Sequence, residues 1–128
     1  MYDCVYPTRT ARFGVALVDT GILKLKAHEC SNDERVIDSD CLCQACRNRV
    51  TRKRLHGLFT AANPVALSLI TQHNLAYMMK LVRNMHEAIL NDKFADFCVR
   101  FVNQHFPERQ DVPQWVVDAL GAAGIQVP

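Results

Sequence analysis

The sequence predicts an α/β fold with one hydrophobic core, built from a short strand, a hairpin and four helices. The strand is the apolar run MYDCVY at residues 1–6, which Pro7 ends. The hairpin joins residues 15–18 to residues 22–26 across the turn signal Asp19-Thr20-Gly21. The 128 residues have the length of one ordinary domain, and a content of 49% hydrophobic and 22% charged residues is too apolar for a disordered chain.

After the hairpin, residues 28–40 are polar and without periodicity, so we expect a loop there. A strongly basic helix is predicted from Asn48 to about Thr60. Asn63-Pro64 then supplies an N-cap followed by a proline at the first helical position, which predicts the start of a second helix. Apolar residues keep a single stripe along this helix to about Leu90, so the helix is expected to be long.

Two more helices are expected towards the C-terminus. Asp92 is predicted to cap one of them, and Pro113 to open another that ends at Gly121 or Gly124. The strand at residues 1–6 finds no neighbour of its own kind in this layout, and unpaired buried backbone is costly. We therefore expect the chain to be part of a larger sheet, or to complete a sheet with a partner.

Composition and charge exclude several classes of protein. The formal net charge of +2 is too small to indicate nucleic acid or an anionic membrane. No uncharged apolar run approaches the ~20 residues that cross a bilayer, so no membrane span is expected. The N-terminal sequence MYDCVYPTR lacks the apolar segment of a secretory signal. We expect an intracellular, reduced chain, in which six cysteines favour metal binding over disulfides.

Three of the cysteines are crowded into the pattern Cys41-x-Cys43-x2-Cys46, which predicts a metal site with zinc as the default ion. A tetrahedral site needs a fourth ligand, and the candidates are His28, Cys30, His56 and His73. His73 lies early in the long helix, where it can be held rigidly, and His56 on the basic helix is its competitor. Four protein ligands leave no open position for a substrate, so the predicted role of the metal is structural.

Charged residues near the predicted strand are the other candidates for function. Asp3 stands near the strand's end, where a carboxylate acts as a nucleophile, a general base or simply an acceptor of loop hydrogen bonds. Arg9 and Arg12 follow it, and their guanidinium groups suit phosphates or base edges. A basic run at residues 47–54 predicts either a grip on RNA phosphates or a solvated helix face.

Taken together, these segments resemble the C-terminal third of the queuine tRNA-ribosyltransferases, the tRNA-guanine transglycosylase family, and resemble the eukaryotic catalytic subunit more than the bacterial enzyme. The resemblance is carried by Asp3-Cys4-Val5-x-Pro7-Thr8-Arg9-x2-Arg12-x-Gly14, Asp40-Cys41-x-Cys43-x2-Cys46, Thr71-x-His73-Asn74-Leu75, and Ala88-Ile89 leading to Phe94. It implies the C-terminal portion of a (β/α)8 TIM barrel with an inserted zinc-binding subdomain. Residues 1–14 would then form the last strand and the loop of the nucleophile, 15–73 the zinc subdomain, and 74–128 the closing helices.

The resemblance also implies a reaction and a set of site residues. Asp3 is implied as the nucleophile that exchanges guanine for queuine at the wobble position of tRNAs with GUN anticodons, through a covalent intermediate. The implied RNA-binding residues are Thr8, Arg9, Thr10, Ala11 and Arg12, and the implied ligands of one structural zinc ion are Cys41, Cys43, Cys46 and His73.

Partners and location follow from the same resemblance. It implies tRNA and the queuine or guanine base as substrates, a heterodimer with a non-catalytic homologous subunit, and a cytoplasmic location that in the eukaryotic family includes the mitochondrial surface. The family's second catalytic aspartate lies upstream of the segment that this chain resembles, so we expect the chain to be inactive alone. The alternative is a non-catalytic zinc module that binds a transglycosylase subunit or tRNA.

Overall fold

The computed structural model describes residues 3–127 of the chain, which are mostly helical. The helices are α1 (Tyr6–Arg12), α2 (Gln44–Arg47), α3 (Arg52–Thr60), α4 (Pro64–Leu90), α5 (Phe94–His105) and α6 (Gln114–Ala122), and the hairpin strands are β1 (Val15–Val18) and β2 (Gly21–Lys24). Short 3₁₀ turns occur at His28–Asn32 and Arg109–Asp111. The chain divides into two compact units, the first running to Val18 and from Ile22 to Lys80, the second holding Asp19–Gly21 and everything from Leu81 onward.

The predicted hairpin is confirmed. Strands β1 and β2 pair with each other, and Gly21 directly after the turn has a φ of 128°, a backbone conformation that a side chain would strain. Strand β2 ends at Lys24, two residues earlier than expected. Beyond the strands, Leu25 donates its N–H to the Gly14 carbonyl at 2.8 Å, which ties the end of the hairpin to the end of α1.

A strand was expected at residues 1–6, and residues 3–6, which the structure describes, do not form one. Asp3–Val5 are exposed without regular structure, and Tyr6 begins helix α1, with Pro7 in the first turn where its missing N–H costs nothing. Among residues 3–127 the sheet consists of β1 and β2 alone, so a strand here would leave its backbone groups unpaired. Met1 and Tyr2 lie outside the described residues. The segment predicted as a loop after the strand is therefore helical.

The basic helix begins later than the sequence predicted. A short α2 ends at Arg47, Arg49 takes the left-handed conformation with a φ of 60°, and α3 starts only at Arg52. Thr51 caps α3, because its hydroxyl oxygen accepts a hydrogen bond from the Arg54 N–H at 3.1 Å. The predicted start of this helix at Asn48 is therefore wrong, because the N-cap at Thr51 starts the helix within the predicted range 48–60.

The start of α4 is confirmed. The Asn63 side chain accepts a hydrogen bond from the Val65 N–H at 3.0 Å, and Pro64 occupies the first helical position.

The cap assigned to Asp92 is wrong. Asp92 turns the chain with a φ of 56°, and Lys93 precedes the first residue of α5 without a side-chain cap. A short polar residue tolerates this left-handed turn, so the chain uses Asp92 to reverse direction.

The end of α6 falls between the two glycines that were proposed for it. The helix stops at Ala122, and Gly124 follows with a φ of 77°. The polar segment 28–40 is a loop apart from the 3₁₀ turn at its beginning, as expected. In the part of the chain that the structure describes, no helix is long and apolar enough to cross a membrane.

The core of the first unit surrounds the cysteine cluster. Its largest fully buried side chains are Leu25, Leu55, Ile70, His73 and Asn74. Apolar residues from the hairpin, α3 and α4 therefore enclose two polar residues that are adjacent in sequence, and each of these must find hydrogen-bond partners inside the protein. The second unit has a smaller core of its own around Val102, Val112 and Val127.

Candidate metal centre

Four side chains that were predicted as metal ligands lie together in the first unit. The donor atoms of Cys41, Cys43, Cys46 and His73 are all within 4.8 Å of one another. His73 Nδ1 is 3.5 Å from the Sγ atoms of both Cys43 and Cys46. In a tetrahedral zinc site with ordinary Zn–S and Zn–N bonds, a sulfur and a nitrogen ligand are separated by roughly 3.5 Å. The donor set and its spacing therefore fit one tetrahedral ion.

Local backbone geometry brings the three cysteines together. Cys43 is the N-cap of α2, and its sulfur accepts a hydrogen bond from the Cys46 N–H at 3.4 Å. The Cys43 N–H in turn donates to the Cys41 sulfur at 3.4 Å. Backbone N–H groups that point at sulfur favour the thiolate form, which is the form that binds metal. The turn thus sets the positions of the sulfurs and points backbone N–H groups at two of them.

His73 is held by a partner on the opposite side of its ring. The residue is completely buried, and its Nε2 is 2.8 Å from the carbonyl oxygen of Leu17 in β1. Because a carbonyl only accepts, this bond places the proton on Nε2 and leaves Nδ1 unprotonated towards the sulfurs. Histidine ligands in metal sites commonly have such a partner, which fixes the tautomer and the orientation of the ring.

The thiols of the cluster do not ionise alike. A hydrogen bond from the Cys46 thiol lowers the pKa of Cys43 well below its usual range. The same bond and burial raise the pKa of Cys46, and burial raises that of Cys41. Cys43 is therefore the first thiolate to form, and a bound cation would have to displace the remaining thiol protons.

The competing ligands lie elsewhere. His56 Nδ1 is 2.7 Å from the carbonyl oxygen of Leu25, so this ring is used to hold the end of the hairpin. Cys30 is buried, its thiol donates to the Lys24 carbonyl at 3.4 Å, and burial raises its pKa. His28 is exposed at the start of the 3₁₀ turn. Of the candidates for the fourth position, the structure brings only His73 to the three cysteines within the described chain.

The residues expected to contact RNA lie on helix α1. Arg9 and Arg12 are exposed one turn apart, and neither forms an ion pair within residues 3–127. Thr8 and Thr10 donate their hydroxyl groups to carbonyls of the preceding turn. Ala11 has no exposed surface and packs into the core, so its side chain has no contact to offer RNA. The prediction that Ala11 belongs to an RNA-contacting segment stays a prediction.

Asp3 precedes α1 and is exposed. Its carboxylate has no hydrogen bond or ion pair with the other residues that the structure describes. The prediction that it accepts loop hydrogen bonds is therefore not met here, and its implied role as a nucleophile stays a prediction.

The basic run at residues 47–54 is not a uniform patch. Arg52 is mostly buried, with 16% of its side chain exposed, and it pairs with Asp33 at 3.3 Å. Its remaining donors reach the carbonyls of Val36 and Ile37, both at 3.0 Å. Lys53 pairs with Glu34 at 3.1 Å on the surface. The cations left exposed and free of an ion pair in this described segment are Arg47, Arg49 and Arg54.

Arg52→Ala is expected to destabilise the zinc-loaded chain by about 2–4 kcal/mol, because two loop carbonyls and Asp33 lose their buried donor. Arg54→Ala, on the same helix but exposed, is the matched control and should stay within about 0.5 kcal/mol of the wild type. Urea unfolding at constant zinc measures both. Equal effects of the two substitutions would show that the Arg52 contacts contribute nothing to stability.

The same loop should respond to acid. Hydrogen bonds from the Arg35 side chain hold the pKa of Asp33 well below its usual range. The stabilisation that comes from ionised Asp33 is therefore present above the carboxyl's ordinary pKa of about 4 and is lost as the pH falls below it.

Comparison with known proteins relates this geometry to a family. Residues 1–107 match the family model described as queuine tRNA-ribosyltransferase. The chain belongs to this family. The match includes all four residues of the metal cluster, and also Asp3 and the whole of α1, so the resemblance inferred from the sequence motifs is confirmed.

Individual members of the queuine tRNA-ribosyltransferase family align with almost the whole chain. The catalytic subunit from Schizosaccharomyces pombe is 34% identical over 134 residues, which cover 99% of this chain and 33% of the relative. The enzyme from Deinococcus radiodurans is 39% identical over 120 residues, covering 94% of this chain and 30% of the relative. The Caenorhabditis briggsae catalytic subunit is 36% identical over 138 residues. The chain therefore spans about a third of the length of these relatives.

Proposed function

We propose that this chain is the zinc-binding, tRNA-contacting C-terminal portion of a queuine tRNA-ribosyltransferase. The observation that carries the proposal is the buried cluster of three cysteines and His73, within a segment that matches the family from its first residue to residue 107. In the complete enzyme the reaction would exchange guanine for queuine at the wobble position of tRNAs with GUN anticodons.

Zinc is the proposed occupant of the cluster, and its role is structural. Three thiolates and one imidazole complete a tetrahedral shell, so the ion has no open position at which to polarise a substrate or activate water. The four ligands come from the segment before α2, from α2 itself and from the first half of α4. A single ion would thus cross-link a loop and two helices inside the core of the first unit.

The catalytic role proposed for Asp3 is that of a nucleophile. Its carboxylate would attack C1′ of the wobble nucleotide and break the bond to guanine, which leaves with an added proton, forming a glycosyl ester. Queuine would then lose a proton, attack C1′ and release the carboxylate. The exposed position of Asp3, without a partner among the described residues, is compatible with a group that meets the rest of its site only in a longer chain. The second catalytic carboxylate and the base pocket would come from that remainder.

The proposed architecture is the end of a (β/α)8 barrel with an inserted zinc subdomain. Residues 1–14 would provide the last strand and the tRNA-contacting segment, 15–73 the zinc subdomain, and 74–128 the closing helices. The exposed, irregular Asp3–Val5 segment has no strand beside it among residues 3–127, so it would form a strand only against the rest of a barrel. Active sites in such barrels lie at the C-terminal ends of the strands, where Asp3 would stand.

We further propose a homologous non-catalytic subunit as the partner in a heterodimer, and the cytoplasm, including the mitochondrial surface, as the location. A second candidate function rests on the closed metal cluster, whose four protein ligands leave no position for a substrate. This candidate is a non-catalytic zinc module that binds tRNA or a transglycosylase subunit. Guanine exchange into tRNA separates the two candidates, since the module alone should show none and a chain extended to family length should restore it.

Substitutions on α1 are expected to change which RNA is bound. Arg9→Ala or Arg12→Ala should reduce discrimination among anticodon-loop variants by about 1–3 kcal/mol for each good bidentate base contact. The matched controls are Arg47→Ala and Arg54→Ala, which remove exposed charges outside α1 and should weaken all RNAs alike while flattening the salt dependence. Arg52 is unsuitable as a control because it holds the loop.

The measurement is the affinity for wild-type and anticodon-substituted stem-loops at two salt concentrations. If the α1 substitutions and the controls lower every affinity by the same factor, α1 contacts only phosphates, and the proposed recognition of the wobble base is wrong. If neither pair changes any affinity, the chain has no RNA-binding surface at these positions and the proposed function fails with it.

A further inference from the structure

The side chain of Asn74, which neighbours the metal ligand His73, joins α4 to α1 and β1 through its own hydrogen bonds. Its Oδ1 accepts from the Leu17 N–H at 2.9 Å. Its Nδ2 donates to the carbonyl oxygens of Pro7 at 3.0 Å and Val15 at 2.9 Å. The orientation of the amide is fixed by these partners, because the reverse placement would put oxygen against two carbonyls and nitrogen against an N–H.

His73 and Asn74 act on the same residue of β1. His73 Nε2 binds the carbonyl oxygen of Leu17, and Asn74 Oδ1 binds its N–H, so both backbone groups of one strand residue are taken by successive side chains of α4. Both side chains are completely buried. Hydrogen bonds shielded from water are costly to break, and a continuous path of them leads from the metal cluster through Leu17 to α1.

Helix α1 also packs against β1, through the apolar side chains that it buries. Its buried residues are Pro7 and Ala11, and apolar contacts are not directional. Thr10 lies on the face towards α4, where its hydroxyl is a longer third acceptor for Asn74 Nδ2 at 3.3 Å. The directional bonds from Asn74 therefore fix the first turn of α1, and with it the placement of Arg9 and Arg12.

We propose that Asn74 is a positioning residue that holds α1 in one orientation relative to the metal centre. The importance of this for RNA rests on the proposed function, in which Arg9 and Arg12 read the anticodon loop. The physical link itself concerns the protein alone. Because His73 and Asn74 are adjacent in α4, a metal ion held by His73 and the orientation of α1 held by Asn74 depend on the same part of α4.

The test compares amide hydrogen exchange in zinc-loaded wild type and Asn74→Ala. Amides whose bonds report on α1 are those of Arg9, Phe13 and Gly14. Without the Asn74 bonds these should exchange about 10–100-fold faster, whereas amides of α3 change little and one equivalent of zinc is retained. Asn63→Ala is the matched control, because it removes the cap of the same helix without touching α1.

Unchanged exchange in α1 would overturn the proposal, and so would an increase that is equal in α1 and α3 or is matched by Asn63→Ala. If Asn74→Ala does not fold, the side-chain protons of Asn74 in the wild type test the proposal instead. The Asn74 side-chain protons should exchange slowly, together with the α1 amides, and show couplings to the Pro7 and Val15 carbonyl carbons. A freely rotating, rapidly exchanging Asn74 amide would refute the link.

An RNA measurement separates this proposal from the proposed function. Zinc-loaded Asn74→Ala should lose discrimination among anticodon-loop variants to about the same degree as Arg9→Ala, which a purely stabilising residue would not do. Faster exchange in α1 with unchanged discrimination would contradict the positioning role in RNA recognition. If Arg9→Ala itself leaves discrimination intact, the proposed role of α1 in RNA recognition is wrong. The exchange measurement still tests whether Asn74 positions α1.

Discussion

His73→Ala is expected to weaken zinc binding by about a hundredfold or more, because it removes one of four ligands and leaves the tetrahedral shell open. The substitution also removes the bond from Nε2 to the Leu17 carbonyl, so α4 loses its link to β1 as well as its link to the cysteines. Metal loss should unfold residues 28–75, since binding free energy at a structural site is folding free energy. Zinc content by mass spectrometry and a competition titration with a chelator measure the effect.

His56→Ala is the matched control for this substitution. It also deletes a ring that binds a backbone carbonyl, that of Leu25, but it lies outside the cluster and should leave one equivalent of zinc bound. Less than half an equivalent of zinc in the wild type would refute the site. Unchanged zinc binding in His73→Ala, with loss in His56→Ala, would show that His56 and not His73 is the fourth ligand.

Asp3→Asn is expected to abolish the covalent tRNA intermediate, by a thousandfold or more in rate, in a chain extended to the length of the family's members. The amide keeps the shape of the carboxylate but is a very poor nucleophile, so the adduct should disappear while tRNA affinity stays nearly unchanged. Trapping the adduct on a denaturing gel, together with a binding titration, separates chemistry from binding.

Asp19→Asn is a suitable companion variant, because Asp19 is an exposed carboxylate in the hairpin turn and should leave adduct formation intact. An adduct that persists in Asp3→Asn would make Asp3 a structural residue. Loss of tRNA binding in Asp3→Asn to the same degree as loss of adduct would place the residue in binding instead of chemistry.

Local sequence signals predicted the parts of the fold that depend on neighbouring residues. Asp19-Thr20-Gly21 predicted the hairpin because the turn needs glycine at a positive φ, and Asn63-Pro64 predicted the start of α4 because the cap and the proline act within one turn. The spacing of Cys41, Cys43 and Cys46 predicted a metal site for the same reason, since thiol ligands this close converge on one ion.

Features that depend on distant partners were missed or misplaced. The run before Pro7 has strand-like composition, but a strand needs a neighbour, and within the described residues it has none, so Tyr6 begins a helix instead. The sequence alone did not separate Arg52 from the surface cations near it, because the carbonyls that it binds, those of Val36 and Ile37, lie 15 or more residues away. Asn74 appeared only as a motif residue, because its partners lie 57 or more positions away in the chain.

We propose that a closed site of three cysteines and one histidine holds zinc inside the core of the first unit. X-ray absorption at the zinc edge of the loaded chain tests it most directly. The account predicts three sulfur ligands at about 2.3 Å and one nitrogen at about 2.0 Å, with no water oxygen, and the nitrogen shell should vanish in His73→Cys. A four-sulfur shell in the wild type, or a shell in which oxygen replaces sulfur, would contradict it.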